Sequence, residues 1–223
     1  MEKIKHKPYG PYEKYIKRPL DLICSLIAII VFSWLYLIIA ILVRVKLGSP
    51  VIFTQDRPGK DEKIFKLYKF RTMTDAKDEN GKLLPDSERL TKFGKMLRAT
   101  SLDELPEAFN IAKGDMSIVG PRPERWEHDE MYAEDIPEWP LRLKVKGGLT
   151  GYAQVYGKYN TTALDKLKLD LFYITNYSLV LDIQILFETV KIIFQKESTE
   201  GFSEERGKEM HDGLDSGIVQ NGK

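Results

Sequence analysis

Asp103 and Glu104 stand side by side in TSLDELPEAFN, residues 100–110, directly ahead of Leu105-Pro106. Ser101 followed three residues later by Glu104 has the spacing of a capping box, and acids suit the positive end of a helix dipole. Paired carboxylates also do chemistry. One can attack a phosphorus atom to form an acyl-phosphate, while its neighbour holds a metal that offsets phosphoryl charge. Helical geometry is disfavoured at Leu105, the residue before a proline. The helix is therefore predicted to start near Pro106 and run to about Lys113, with Gly114 as its stop. Both acids then lie just outside the helix N-terminus, where backbone N–H groups favour negative charge, phosphate included.

Cations of the kind a phosphate needs gather in the same part of the chain. Arg57, Lys69, Arg71, Arg98 and Arg122 fall near predicted strand ends or turns, with Asp115 as a further carboxylate. Guanidinium forks match phosphate oxygens in pairs, and magnesium takes carboxylate and phosphate oxygens together. The set suits a phosphate ester bound with a divalent metal, although any one charge taken singly fits a solvated face or a surface ion pair. Pro121 and Pro123 fix the backbone on both sides of Arg122 within GPRPE, residues 120–124.

The elements that hold these residues belong to a chain of 223 residues, which suffices for one domain with a sizeable core and an accessory element. Thirty-four Lys and Arg against 33 Asp and Glu leave a net charge of +1, which makes no global electrostatic case for nucleic acid. The single cysteine, Cys24, excludes an internal disulfide framework and a cysteine-based zinc site. His6, His128 and His211 are too scattered for a metal cluster and read as surface residues.

One stretch breaks the pattern of a soluble protein. Leu22 to Val43 is an apolar run of 22 residues in which only Ser25 and Ser33 are plainly polar. As a helix it reaches roughly 33 Å, comparable with the hydrocarbon of a bilayer. Lys3, Lys5, Lys7, Lys14, Lys17 and Arg18 precede it, and Arg44 and Lys46 follow it. The heavier cluster is N-terminal, so a straight span puts residues from 47 onward outside the cytoplasm; a bent helix entering and leaving on one face suits two basic flanks. Ser33 is the expected bend, since a serine hydroxyl can bond back to a carbonyl one turn earlier. These residues alone leave both geometries open.

VIFTQ (51–55) and IFKLYKF (64–70) around Pro58-Gly59 predict a hairpin. Residues 74–88 read as an exposed loop, 90–97 as a short helix, 124–132 as a polar helix, and 144–157 as a glycine-rich loop with strand-like pieces. Helices are predicted over 164–177 and 179–194. The second carries apolar residues at 179, 183, 186, 187, 190, 193 and 194, read as a core-facing stripe, with a membrane surface or a second copy of the chain as alternatives. Residues 198–223 read as a disordered polar tail.

KRPLDL (17–22), PVIFTQDRPG (50–59), KLYKFRTM (66–73), LRATSLDELPEAFNIAKGDMSIVGPRP (97–123) and GGLTGYAQVYG (147–157) resemble the bacterial sugar transferases over roughly residues 12–196. These are polyprenyl-phosphate phosphoglycosyl transferases with a monotopic catalytic domain. The resemblance implies an α/β, helix-rich monotopic membrane protein in its minimal catalytic form. Its parts are a basic segment (1–18), an N-terminal re-entrant membrane helix (19–46), a catalytic domain (47–197) and the tail (198–223). A short β-hairpin and amphipathic helices surround a small cytosolic catalytic core.

The implied reaction moves a sugar 1-phosphate from a UDP-sugar to undecaprenyl phosphate and releases UMP. It is the first membrane step of capsule, exopolysaccharide or glycoconjugate synthesis, at the cytoplasmic face of the bacterial inner membrane. Carried onto this sequence, Asp103 is the nucleophile that forms a covalent phosphosugar intermediate, and Glu104 helps hold Mg²⁺. Lys69, Arg71, Arg98 and Arg122 bind phosphates, and Arg57, Pro121 and Gln154 complete the substrate-binding set. Family members usually break the membrane helix at a Ser-Pro pair; this chain has Ser33-Trp34. A homodimer is a further expectation. Two other classes fit the residues less fully: a membrane-associated glycosyltransferase or acyltransferase without phosphorus chemistry, and a non-catalytic adaptor in which Asp103-Glu104 only caps a helix.

Overall fold

The computed structural model describes residues 10–158 and 160–194. A π-helical turn, Tyr12–Lys17, runs into α1 (Arg18–Val31), and beyond Phe32 α2 (Ser33–Leu47) continues at a bend of 64°. No single helix among the described residues is long and apolar enough to cross a membrane, whereas the bent pair together meets that criterion of length and composition. The break falls at Phe32, where φ is −95° and ψ 12°, one residue before the expected position. Its expected cause is also replaced. Ser25, not Ser33, is the serine whose hydroxyl bonds back along the helix, to Leu22 O at 3.0 Å.

The bend follows from where the two arms pack. α1 lies on α5 (Glu107–Lys113): Arg18 donates to the carbonyls of Ile111 and Ala112 at 2.6 and 2.7 Å. Buried Asp21 accepts the N–H of Ile118 at 3.0 Å. α2 instead buries Ile39, Val43 and Leu47 against Phe70 and Leu97, and its Tyr36 hydroxyl donates to Leu105 O at 2.6 Å. Each such apolar burial is worth roughly 1.5–3 kcal/mol, enough for packing to set the angle without a proline. Ile27, Ile30, Trp34, Leu37 and Ile41 remain exposed around the bend. Lys17, read as part of a basic flank, is buried and paired with Asp182 at 2.5 Å. Lys3, Lys5 and Lys7 lie outside the described residues.

β1 (Ile52–Pro58) and β2 (Ile64–Phe70) form the expected antiparallel hairpin, with Ile52 opposite Phe70 and Pro58 opposite Ile64. Phe65 and Leu67 of β2 pack on Ile111 and Met116. Fully buried Asn110 of α5 supplies the missing edge partner of β2: its carbonyl accepts from Tyr68 N at 3.0 Å and its amide donates to Lys66 O at 2.7 Å. Two short helices follow, α3 (Asp86–Arg89), which overlaps the end of the stretch read as a loop, and α4 (Lys92–Ala99), the helix expected over 90–97 shifted by two residues.

β3 (Ser117–Val119) pairs in parallel with β4 (Gly148–Thr150). The strand-like pieces expected within 144–157 include β4, but its partner β3 and the sheet they form were not foreseen, since strands of three residues are too short to display alternation. A Cβ on Gly148 would come 2.1 Å from Gly120 N, so glycine is what lets the GPRP turn sit against β4. Around this pair lie α6 (Trp126–Asp135), a 3₁₀ stretch (Trp139–Lys144), α7 (Tyr152–Tyr156), α8 (Ala163–Thr175) and α9 (Leu179–Phe194). Val119, Val145, Tyr173, Ile174, Leu181 and Ile185 form their common core.

α9 is turned the other way from the sequence reading. Leu179, Ile183, Leu186, Phe187 and Val190 face outward, while Leu181, Asp182 and Ile185 are buried. The helix is apolar on most of its circumference, so periodicity does not select a face. Asp182 selects it, because a buried carboxylate needs partners and Lys17, Tyr12 and Tyr173 all donate to it. His128 is half-buried against Tyr132 rather than fully on the surface. His6, His211 and the 198–223 tail lie outside the described residues.

Candidate active site

Asp103 and Glu104 ride on a single 3₁₀ turn, Leu102–Glu104, between α4 and α5. Ser101 enters the turn with φ 54°, a left-handed residue that redirects the chain, and its side chain makes no cap. The capping box therefore does not form. Glu104 turns its carboxylate to two cations instead: Oε1 lies 2.7 Å from Lys69 Nζ, near the end of β2, and accepts from Arg122 Nη2 in the GPRP turn. Leu105, expected to be non-helical, has φ −49° and ψ −41°. Its carbonyl accepts from Ala108 N at 3.1 Å as well as from Tyr36, which outweighs the steric bias before proline. Regular helix still begins only at Glu107, so the acids do precede it, and Gly114, with φ 95°, ends it.

The electrostatics divide the three acids. Asp103 is 7 % exposed; burial raises its pKa, Lys69 opposes the rise, Glu104 adds to it and Arg98 opposes it. Burial also pushes Glu104 upward, but Arg122 and Lys69 overcome it and hold Glu104 down at about 2. Glu107 is 3 % exposed with Oε1 3.4 Å from the same Lys69 Nζ; burial lifts it to about 7 against the pull of Lys69. Near neutral pH Glu107 is therefore partly protonated while Glu104 stays ionised.

A second layer fixes the turn that carries Arg122. Arg142, 3 % exposed, donates Nη2 to Arg122 O at 2.9 Å and Nε to Asp170 Oδ2 at 2.6 Å, with Asp129 Oδ1 3.6 Å from Nη1. Its guanidinium lies 4.4 Å from the ring centroid of Trp139, which itself donates to Asp129. Glu124 is paired with Lys166; burial pushes its carboxyl up, but Lys166 and Arg142 overcome that and hold it at about 2.

The remaining sequence candidates divide. Arg98 joins the site: exposed, its Nε on Thr72 Oγ1 at 3.1 Å, it acts electrostatically on Asp103. Arg57 reaches the same turn through Pro123 O at 3.2 Å, and Pro121 anchors that turn by accepting Gly148 N at 2.9 Å. Arg71 is committed elsewhere. Its buried guanidinium donates to the carbonyls of Met73 (2.8 Å) and Ser49 and pairs with Asp75, which makes it a clamp on the β2 exit. Gln154 donates to Leu149 O at 3.1 Å and holds α7 to β4. Glu107 and Arg142 were missed; an acid at a helix start reads as a dipole partner, and Arg142 is separated in sequence from both its aspartates.

Among the described residues no three His, Cys, Asp or Glu side chains group to hold a metal unaided. Asp103 and Glu104, next to each other in the chain, are the kind of donor that magnesium takes when one or two carboxylates are joined by phosphate oxygens and water, with Glu104 Oε1 here also shared by Lys69 and Arg122.

A family model described as bacterial sugar transferase matches residues 12–196, which include the dyad turn, both cations and the bent helix pair. The chain belongs to the bacterial sugar transferase family. Across 182 residues this sugar transferase is 44 % identical to the sugar transferase EpsL of Bacillus subtilis, covering 82 % of this chain and 89 % of that one. It is 40 % identical to the UDP-N-acetylgalactosamine-undecaprenyl-phosphate N-acetylgalactosaminephosphotransferase of Aeromonas hydrophila, covering 82 % of this chain and 45 % of the relative. It is likewise 40 % identical to the UDP-glucose:undecaprenyl-phosphate glucose-1-phosphate transferase of Escherichia coli K12, covering 82 % and 41 %. The chain thus spans less than half the length of these two phosphotransferases.

Glu107 gives this sugar transferase a testable pH signature. A carboxyl lifted to about 7 from an ordinary 4.5 contributes stability that is present below pH 4.5 and lost as pH rises through 7. Glu107→Gln does not titrate, so the variant should gain melting temperature relative to the parent between pH 5 and pH 8. Thermal melts at both values check this, and an unchanged difference between them overturns it.

Proposed function

We propose that this sugar transferase moves a sugar 1-phosphate from a UDP-sugar to undecaprenyl phosphate through a covalent intermediate on Asp103. The observation that carries the reading is a buried carboxylate next to a second one paired with Lys69 and Arg122. The activities for which the Aeromonas and Escherichia relatives are named support the same reaction. A carboxylate oxygen of Asp103 attacks the phosphorus that bears the sugar. The anhydride bond to the other phosphate breaks, and UMP leaves with the bridging oxygen and its electron pair. An oxygen of the lipid phosphate then attacks the same phosphorus, the acyl–phosphorus bond breaks, and the Asp103 carboxylate is restored.

Lys69, Arg122 and Arg98 orient the diphosphate, and Lys69 and Arg98 oppose the rise that burial gives the Asp103 carboxyl. Glu104 holds the two cations in register, and with Asp103 it would hold magnesium. When bound, that ion supplies positive charge to the phosphoryl oxygens. The bent pair α1–α2 is the anchor, inserted from one face with its exposed apolar side chains in lipid, which leaves the dyad on the side of the soluble donor.

Incubation with candidate UDP-sugars and no lipid acceptor tests the proposal. A sugar-phosphate mass increment on the peptide containing Asp103, with stoichiometric UMP, is the expected result. Release of UDP in place of UMP, with no adduct, favours plain glycosyl transfer and overturns it.

A further inference from the structure

α2 and α4 carry charge of one sign only. Arg44 and Lys46 lie in the last turn of α2, and Lys92, Lys95 and Arg98 lie on α4. Neither helix has an acid, in a chain where 34 basic side chains meet 33 acidic ones. Arg98 is taken up by the site, through Thr72 and Asp103. Arg44, Lys46, Lys92 and Lys95 are exposed, and among the described residues none of the four forms an ion pair. The acids next in the chain, Asp86 and Glu88, belong to α3, where Asp86 is paired with Arg89 at 3.2 Å.

The seat of α4 decides which way its lysines point. Phe93 and Leu97 share one apolar cluster with Ile39, Val43 and Leu47 of α2, and Lys46 Nζ stands 5.7 Å from the Phe93 ring centroid. Gly94 lies so close to β2's exit that a Cβ there would come 1.9 Å from Thr72 O. At roughly 100° per residue the opposite side of the helix carries Lys92, Lys95, Met96 and Ala99, all exposed. A helix turned only to water stays soluble with both signs interspersed. Two unpaired lysines beside an exposed methionine match instead a helix lying on a lipid surface, with long stems over the apolar strip and charged heads outward.

Depth agrees with that surface. Val43 and Leu47 follow the bend at Phe32 by roughly 16 to 22 Å of helix, whereas the hydrocarbon of one leaflet is roughly 15 Å thick. In an anchor inserted from one face, α4 is therefore held at the level of the headgroups.

We propose that the outward face of α4, continued by Arg44 and Lys46, is a docking surface for anionic phospholipid headgroups. The proposal rests on the one-face anchor reading above. Each such cation favours an anionic surface roughly fivefold, within a Debye length of it. α4 ends at Ala99, just before the Leu102–Glu104 turn, so the contact seats that edge of the site on the membrane.

Lysine acetylation footprinting of the full chain, reconstituted in vesicles and read by mass spectrometry, tests the face without altering it. One set of vesicles is phosphatidylcholine alone, the other phosphatidylcholine and phosphatidylglycerol in equal parts. Lys92 and Lys95 should react roughly threefold or more slowly in the anionic set, and high salt should cancel the difference. Lys168 of α8, 3.3 Å from Asp165, should react alike in both. Equal rates at Lys92 and Lys95, or the same slowing at Lys168, overturns the proposal. Lys92→Gln combined with Lys95→Gln separates phospholipid from acceptor in turnover assays. A raised KM for undecaprenyl phosphate in phosphatidylcholine vesicles, with no lipid-dependent footprint in the parent, assigns the face to the acceptor and overturns it too. A chain that does not float with the vesicles defeats the anchor reading instead.

Discussion

Asp103→Asn should abolish turnover, by at least about 10⁴-fold, while making the folded protein no less stable at pH 7. The amide lacks the anionic oxygen that forms the bond to phosphorus, and none of the neighbouring acids stands in for it: Glu104 is paired with Lys69 and Arg122, and Glu107 is paired with Lys69 and lifted by burial. The stability half follows from the direction of the pKa shift. Burial raises Asp103 above its ordinary 3.8, so the stability it contributes is present below that value and lost as pH rises through the folded one. Asparagine never ionises and escapes that loss. UMP release and a melting curve, measured on one preparation, check both halves. Turnover within tenfold of the parent removes Asp103 from the role of nucleophile; loss of turnover together with a collapsed melting temperature fails to reproduce the expected pairing and counts against it.

Arg142→Ala should be the most damaging single change to the fold among the polar residues described. Removing the guanidinium leaves Asp170 and Asp129 facing each other's surroundings without their cation, and frees the Arg122 carbonyl. Breaking a buried pair by deleting one partner costs about 3–5 kcal/mol, a large part of the roughly 5–15 kcal/mol that holds a domain together. A fall in melting temperature on the order of 10 °C is expected. Arg142→Met combined with Asp170→Leu and Asp129→Asn removes the stranded charges and should recover a substantial part of the loss. A fall under 2 °C for the single variant shows that the network does not hold the turn.

Much of the site was legible because it is local. The dyad and its proline lie in one short motif, and Lys69 and Arg122 each close a strand or turn whose own signals are strong. What escaped was decided by tertiary partners. Arg71 looks like any other phosphate-binding arginine until Ser49 and Met73 offer it carbonyls. The outward face of α9 is as apolar as the inward one, and only Asp182, satisfied by Lys17 and two tyrosines, sets its rotation. The bend between α1 and α2 was one of two geometries the residues left open and was assigned to a serine hydroxyl, whereas α5 on one side and Phe70 with Leu97 on the other pull the two arms apart.

The hydroxyl of Tyr36 on Leu105 O, and the guanidinium of Arg18 on the last carbonyls of α5, fasten the segment that carries Asp103 to both arms of the bent helix pair. In the proposed reading the Asp103 nucleophile would thereby ride at a set altitude above the lipid, as a stylus does on its arm. In the proposed membrane setting an acceptor whose phosphate floats at one depth meets a carboxylate that travels at one height. Their encounter is reduced from a search through volume to a search over area. Acceptors are then sorted first by how deep their headgroup sits, before any contact with the chain discriminates among their tails.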